Sequence, residues 1–79
     1  MRHAAGIDIG TAFTKAVIVA ENGAGRVLGR GMLRSGVELE QAAQAALALA
    51  RADAKLDDAL SVYVATTGFG RYTPSFRDI

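Results

Sequence analysis

Short apolar runs separated by turn residues occupy the first part of the chain. Residues 4–9 and 14–20 are rich in Ile, Val and Ala, and the sequence GTAF stands between them. This pattern predicts two strands joined as a β-hairpin. The stretch ENGAG at residues 21–25 carries the Asn-Gly signal of a second tight turn. A third strand is predicted at residues 26–34, where arginines and glycines interrupt the apolar pattern as in an edge or half-exposed strand.

A helix and a fourth strand are predicted after these three strands. The sequence SGVE at residues 35–38 matches a capping box, so we predict a helix from about residue 36 to residue 52. The apolar positions that share one helical face are Leu39, Ala42, Ala43, Ala46, Leu49 and Ala50. After a polar connection, LSVYVATT at residues 60–67 predicts a fourth strand that is bounded by Gly68 and Gly70.

The order β-β-β-α-β predicts an α/β fold, in which the helix carries the chain across one sheet so that the fourth strand can join it. Alanines on the helix would let it lie close to that sheet. The chain has 79 residues, and a chain of this length buries only about 60% of its unfolded surface. No second helix follows to cover the other sheet face, so we expect a truncated half-domain rather than a complete fold.

Composition excludes several classes of function. Nine Lys and Arg stand against eight Asp and Glu without clustering of either sign, which argues against a nucleic-acid or basic membrane surface. The chain has no cysteine and therefore no disulfide or thiolate metal site of its own. The single histidine, His3, has no metal-ligand neighbours, and we expect it to be solvated. Without a long apolar run or a secretory signal, the expected location is the cytoplasm.

The hairpin GIDIGTAFTK, residues 6–15, concentrates the candidate chemistry. Successive backbone N–H groups in a tight turn can point into one concavity, and Gly10 would let an anion approach the main chain. Thr11 and Thr14 could add hydroxyl donors, and Lys15 could place a positive charge against phosphate oxygens. The pattern therefore indicates a phosphate-binding turn.

Asp8 fits beside a phosphate only if a cation lies between the two negative groups. Mg²⁺ is commonly held by one or two carboxylates, water and substrate phosphates, so acid, glycine turn and lysine together indicate a metal–nucleotide site. Alternatively, Asp8 bonds the amides of its own turn and Lys15 is simply solvated. The chain contains neither the P-loop pattern nor correctly spaced Rossmann glycines.

The pattern D-x-G-T-x-x-x-K, with the predicted order of elements, resembles the first half-domain of the ribonuclease H-like superfamily of sugar kinases, Hsp70 and actin. The segment ATTGFGRYTPSFRDI at residues 65–79 is similar to the T-G-[YF]-G-R segment of the activator ATPases of 2-hydroxyacyl-CoA dehydratases and benzoyl-CoA reductase. Within it, RYTPSFRDI at residues 71–79 most resembles the ATP-binding subunits of benzoyl-CoA reductase. The resemblance covers nearly all of this chain but only the N-terminal part of the family's proteins.

This resemblance implies ATP and Mg²⁺ as ligands. Asp8 would hold Mg²⁺ through water, the amides of Gly10, Thr11 and Ala12 would hold phosphate, and Lys15 would contact the terminal phosphates. It further implies a second ATP-binding subunit in a homo- or heterodimer, acyl-CoA-reducing subunits and a ferredoxin-type electron donor. A [4Fe–4S] cluster is implied for the complete family protein only, because this chain has no cysteine.

The segment from Thr67 through Gly68 and Gly70 to Arg71 leaves two interpretations open. It is either a mobile loop at the nucleotide cleft or subunit interface, with Arg71 sensing phosphate or partner, or an ordinary turn with a solvated arginine. The function also has alternatives, namely a small-metabolite kinase of the same superfamily and a non-catalytic nucleotide-binding module.

Overall fold

The computed structural model describes residues 3–20, 26–57 and 62–79. The elements confirm the predicted order: strand β1 (His3–Ile9), strand β2 (Phe13–Ala20), strand β3 (Val27–Arg34), helix α1 (Leu39–Ala54) and strand β4 (Tyr63–Thr67). The predicted turn at residues 21–25 and the predicted start of the fourth strand at Leu60 lie outside the described residues.

The four strands form one mixed sheet with the order β3-β2-β1-β4. Strands β1, β2 and β3 pair antiparallel as a meander, whereas β4 pairs parallel to β1. Helix α1 therefore carries the chain from one edge of the sheet to the other, which confirms the predicted crossover. Strand β3 is an edge strand, as its arginines and glycines predicted.

The core lies between α1 and one face of the sheet. Alternate residues of the two central strands point into it, and β1 contributes Ala5, Ile7 and Ile9. The helix contributes its small residues, Ala42, Ala43, Ala46 and Ala50, which are all buried. Leu49 was predicted on this buried face, but it is 47% exposed. Its Cβ lies beside Gly31 of the edge strand.

Glycines in β3 allow the helix to approach the sheet closely. A Cβ built on Gly31 would lie 2.5 Å from the carbonyl oxygen of Ala46 and 2.8 Å from the backbone nitrogen of Ala50. A Cβ on Gly29 would collide in the same way with the backbone near Ala54. Real Cβ atoms do not come this close to backbone, so both positions require glycine.

The predicted capping box is wrong. Helix α1 begins at Leu39, three residues later than predicted, and its N-cap residue Glu38 makes no side-chain cap hydrogen bond. The reason is that Ser35 is buried and its hydroxyl is used elsewhere, as described below. Gly36, at φ +66°, turns the chain before the helix. The helix ends with Lys55 in the left-handed conformation, which bonds back to Ala52.

The last residues of the chain cover the outer edge of β4. The N–H groups of Asp78 and Ile79 both donate to the carbonyl oxygen of Val64, and Ile79 accepts from Thr66. Exposed strand edges pair readily with other chains, so this cover protects the edge.

The same segment is bonded to the helix, because the backbone N–H of Ser75 donates to Glu40. Hydrogen bonding to Ser75, first from its side chain and then from its backbone N–H, lowers the pKa of Glu40, and this stabilising effect is lost as the pH falls through that lowered pKa.

Candidate functional site

Asp8, Lys15 and Thr67 lie side by side on the sheet face opposite α1. Asp8 of β1 is directly paired with Lys15 of β2 and with Thr67 of β4. Residues that are directly opposite in a sheet point to the same face, and all three are exposed. Three strands therefore place a carboxylate between an ammonium group and a hydroxyl. We call these three residues the polar row.

The polar row lies at one end of a shallow depression of about 400 Å³. The residues that line this depression are Gly6, Ile7, Asp8, Lys15, Val17, Ala65, Thr66 and Thr67. Its floor consists mainly of small and apolar residues, with charge concentrated at the polar row. This shape suits a ligand that has an apolar or aromatic part and a charged end.

The hairpin turn is built from residues 10–12. The N–H of Gly10 donates to the carbonyl oxygen of Phe13 at 3.0 Å, so this predicted phosphate donor is already bonded within the turn. A Cβ at Gly10 would lie 2.8 Å from the same oxygen, which explains the glycine. Thr11 and Ala12 are exposed, and within the described residues their N–H groups donate to no backbone carbonyl of the turn. The turn thus offers two amides for an anion.

Thr14 does not join the polar row. Strand alternation places its side chain on the helix side of the sheet, where it is fully buried. Its hydroxyl lies 2.7 Å from the hydroxyl of Ser35, and Ser35 donates to the carbonyl oxygen of Gly10 at 2.6 Å. The N–H of Ser35 also donates to the carbonyl oxygen of Ala12. Thr14 and Ser35 therefore stabilise the hairpin from the helix side of the sheet.

Ser35→Ala is expected to lower the free energy of unfolding by about 1–3 kcal/mol, because it leaves the buried Thr14 hydroxyl without this partner. Urea denaturation of the variant and the parent chain would measure the loss. Thr73→Ala, at an exposed position, is the matched control and should change stability by less than about 0.5 kcal/mol. Equal stability of the two variants would contradict this stabilising role.

The segment after β4 folds over the end of β1. The N–H of Gly70 donates to the carbonyl oxygen of Ile9 at 3.0 Å. Arg71 turns back on its own loop, donating from Nη1 to the carbonyl oxygen of Gly68 at 2.9 Å. Its guanidinium also lies 4.7 Å from the ring centre of Tyr72, a favourable cation–π distance. Arg71 thus stabilises this turn, and it is directed to the loop rather than to the polar row.

The charges of the polar row are available to a ligand. Within the described residues, no ion pair joins Asp8 to Lys15, and no turn amide donates to the Asp8 carboxylate. The turn bonds to Asp8 that the alternative expects are thus not found among the described residues, whereas Lys15 is exposed, as that alternative also expects. The described part of the chain contains no cluster of three His, Cys, Asp or Glu side chains that could hold a metal. A single carboxylate fits Mg²⁺ that is bound largely by water and phosphate.

Two features of the site were missed by sequence reasoning. Ser35 was assigned to the helix cap, although its contacts are with the hairpin 21 to 25 residues earlier. Phe13 was treated only as a turn residue, but it is 46% exposed and lies 6.0 Å from the Arg34 guanidinium. Phe13 is paired with Arg34 in the register of β2 and β3. Because the sequence predicts these two strands to be antiparallel neighbours, this pairing could have been predicted.

Several solved structures share this fold, and two of them are compared with the chain. One is (R)-2-hydroxyglutaryl-CoA dehydratase component A of Acidaminococcus fermentans, with a TM-score of 0.76 and 16% identity over 92% of this chain and 27% of that chain. The other is diol dehydratase-reactivating factor in nucleotide-free form, with a TM-score of 0.71 and 25% identity over 84% of this chain and 12% of that chain. The chain therefore spans only a small part of either protein. No protein-family model and no curated protein sequence matches it.

These likenesses confirm the predicted fold. The chain is an α/β unit with a mixed sheet and β-β-β-α-β order, and it shares this fold with a small portion of both solved structures. The predicted resemblance to a protein of the 2-hydroxyacyl-CoA dehydratase systems is confirmed at the level of the fold, by component A of 2-hydroxyglutaryl-CoA dehydratase. No helix in the described ranges is long and apolar enough to cross a membrane.

Proposed function

We propose that this chain forms the phosphate-binding part of an ATP-hydrolysing activator subunit. Such a subunit drives low-potential electron transfer to benzoyl-CoA reductase or a related acyl-CoA reductase or dehydratase. The observation that carries the proposal is the polar row, in which paired strands hold Asp8, Lys15 and Thr67 on one exposed face. The similarity in fold to 2-hydroxyglutaryl-CoA dehydratase component A supports the choice of activator.

Each residue of the site has a proposed task. Asp8 would hold Mg²⁺ through water, and the Thr11 and Ala12 amides would bind phosphate oxygens at the turn. Lys15 would contact the terminal phosphates, and Thr67 would add a hydroxyl on the far side of Asp8. Bound Mg²⁺ would offset phosphate charge. Positioning and charge stabilisation of this kind are most of what phosphoryl transfer requires from a protein.

The electron-transfer part of the proposal needs groups that this chain does not supply. The chain has no cysteine, and iron–sulfur clusters are held mainly by cysteine thiolates. A [4Fe–4S] cluster shared with a second ATP-binding subunit would therefore be ligated by residues outside this sequence. The proposed partners are that second subunit, acyl-CoA-reducing subunits and a ferredoxin-type donor.

Reconstitution tests this function. The full gene product would be combined with acyl-CoA-reducing subunits, benzoyl-CoA, a low-potential electron donor and Mg·ATP. We expect substrate reduction that requires both the gene product and ATP hydrolysis. Transfer of the γ-phosphate to a small metabolite, without electron transfer, would replace this function by that of a kinase. Nucleotide binding without hydrolysis or transfer would favour a non-catalytic module.

A further inference from the structure

Gly68 lies against the Asp8 carboxylate. A Cβ built on Gly68 would collide with Oδ1 of Asp8 and would lie 2.7 Å from the carbonyl oxygen of Ile9. The backbone at Gly68 has φ +93°, a conformation that side chains rarely adopt. Gly68 directly follows Thr67, the β4 residue that is paired with Asp8. The main chain at Gly68 thus lies directly against the carboxylate and leaves no room for a side chain.

Hydrogen bonds at Gly68 and at Gly70 hold this part of the main chain in place. The carbonyl oxygen of Gly68 accepts from Nη1 of Arg71 at 2.9 Å and from the Arg71 N–H at 3.3 Å. Gly70 donates to the carbonyl oxygen of Ile9 and packs against the side chains of Ile9 and Leu39, where a Cβ would lie 2.6 and 2.8 Å from their atoms. The loop therefore cannot move away from Asp8 without breaking these contacts.

We propose that Gly68 is a positioning residue for Asp8. Its bare main chain limits where the Asp8 carboxylate can lie and keeps it beside Lys15 on the exposed sheet face. Arg71 supports this task by fixing the Gly68 carbonyl. The role in ligand binding rests on the proposed function, whereas the steric effect on Asp8 does not. Gly68 itself needs no contact with the ligand.

Gly68→Ala tests the steric effect in the free chain. The χ1 rotamer populations of Asp8, measured from three-bond NMR couplings, are expected to shift because the new methyl group would collide with Oδ1. Gly36→Ala is the matched control, since Gly36 also has positive φ but has open space around its Cβ position. That variant carries the same kind of backbone strain and should leave Asp8 unchanged. An unchanged Asp8 rotamer in Gly68→Ala would overturn the inference.

A binding measurement tests the consequence for the ligand. The affinity for Mn²⁺·ADP, followed by electron paramagnetic resonance, is expected to fall about tenfold in Gly68→Ala, as when the support of a metal-binding group is lost. It should be unchanged in Gly36→Ala. Equal losses in the two variants, or none in Gly68→Ala, would contradict positioning.

The two measurements separate this inference from the proposed function. If the parent chain binds no Mn²⁺·ADP, the proposed function fails, while the Asp8 rotamer still decides whether Gly68 constrains the carboxylate. If Gly68→Ala does not fold, Gly68→Asn repeats both measurements, because Asn carries the same Cβ and tolerates positive φ better than Ala.

Discussion

Asp8→Asn is expected to lower Mg²⁺-dependent ATP turnover by the full gene product about 10- to 100-fold, with almost no change in its melting temperature. The exchange keeps the shape of the side chain but removes the charge that would hold hydrated Mg²⁺. Asp8 is exposed and outside the core, so the fold does not depend on its charge. Steady-state ATPase assays over a range of Mg²⁺ concentrations, together with thermal melting, would measure the two effects.

The control for Asp8→Asn is Glu38→Gln, which removes one exposed carboxylate at a position without a side-chain cap bond. This variant should hydrolyse ATP at the parent rate. Lys15→Ala should weaken nucleotide binding at least about tenfold, the effect of losing a hydrogen bond to a charged group. Parent kinetics in both Asp8→Asn and Lys15→Ala would rule out the phosphate site on this hairpin.

Gly31→Ala is expected to destabilise the fold by about 1–3 kcal/mol, the cost of an extra methylene in a packed interior. The added Cβ would lie only 2.6 Å from the Cβ of Leu49 and 2.5 Å from the carbonyl oxygen of Ala46. Either the helix or the edge strand must move to accept it. Because single domains have only about 5–15 kcal/mol of total stability, urea denaturation should show a clear fall in the midpoint.

Gly6→Ala is the matched control for Gly31→Ala. Gly6 lies on the other face of the same sheet, where a Cβ would meet only the Cγ2 of Val17 at an ordinary distance of 3.7 Å. Alanine there should be neutral or should stabilise by about 0.4–1 kcal/mol, because the unfolded chain loses freedom. If both variants were destabilised equally, the close approach of α1 to β3 would not be the cause.

Local patterns predicted the elements well because each depends on neighbouring residues. The alternation of apolar and polar residues predicted the strands of the hairpin, and the helical spacing of the alanines predicted the helix that packs on them. The same alternation carried the information that Thr14 faces the core with Ala16 and Ile18, which are both buried. The prediction of Thr14 as a hydroxyl donor to phosphate did not use this alternation, which places the side chain on the buried helix side of the sheet.

Contacts between distant residues explain what the sequence pattern could not predict. Ser35 matched a helix cap locally, but its hydroxyl is bonded to Gly10, 25 residues earlier. The cover of β4 by Asp78 and Ile79 has no periodic signal, since it depends on three backbone hydrogen bonds made by a turn-rich segment. The position of Gly68 against Asp8 likewise appears only when β4 pairs with β1.

A titration of the isotope-labelled chain with Mg·ATP, followed by the NMR shifts of its backbone amides, tests the central claim most directly. The site offers a few phosphate contacts from one sheet face, so we expect binding with a Kd of roughly 1 mM, equivalent to about 4 kcal/mol. The shifts should concentrate at Asp8, Thr11, Ala12, Lys15 and Thr67, and Lys15→Ala should reduce them. Shifts confined to α1 and β3, or no shifts in the polar row at millimolar Mg·ATP, would contradict a phosphate site on this hairpin.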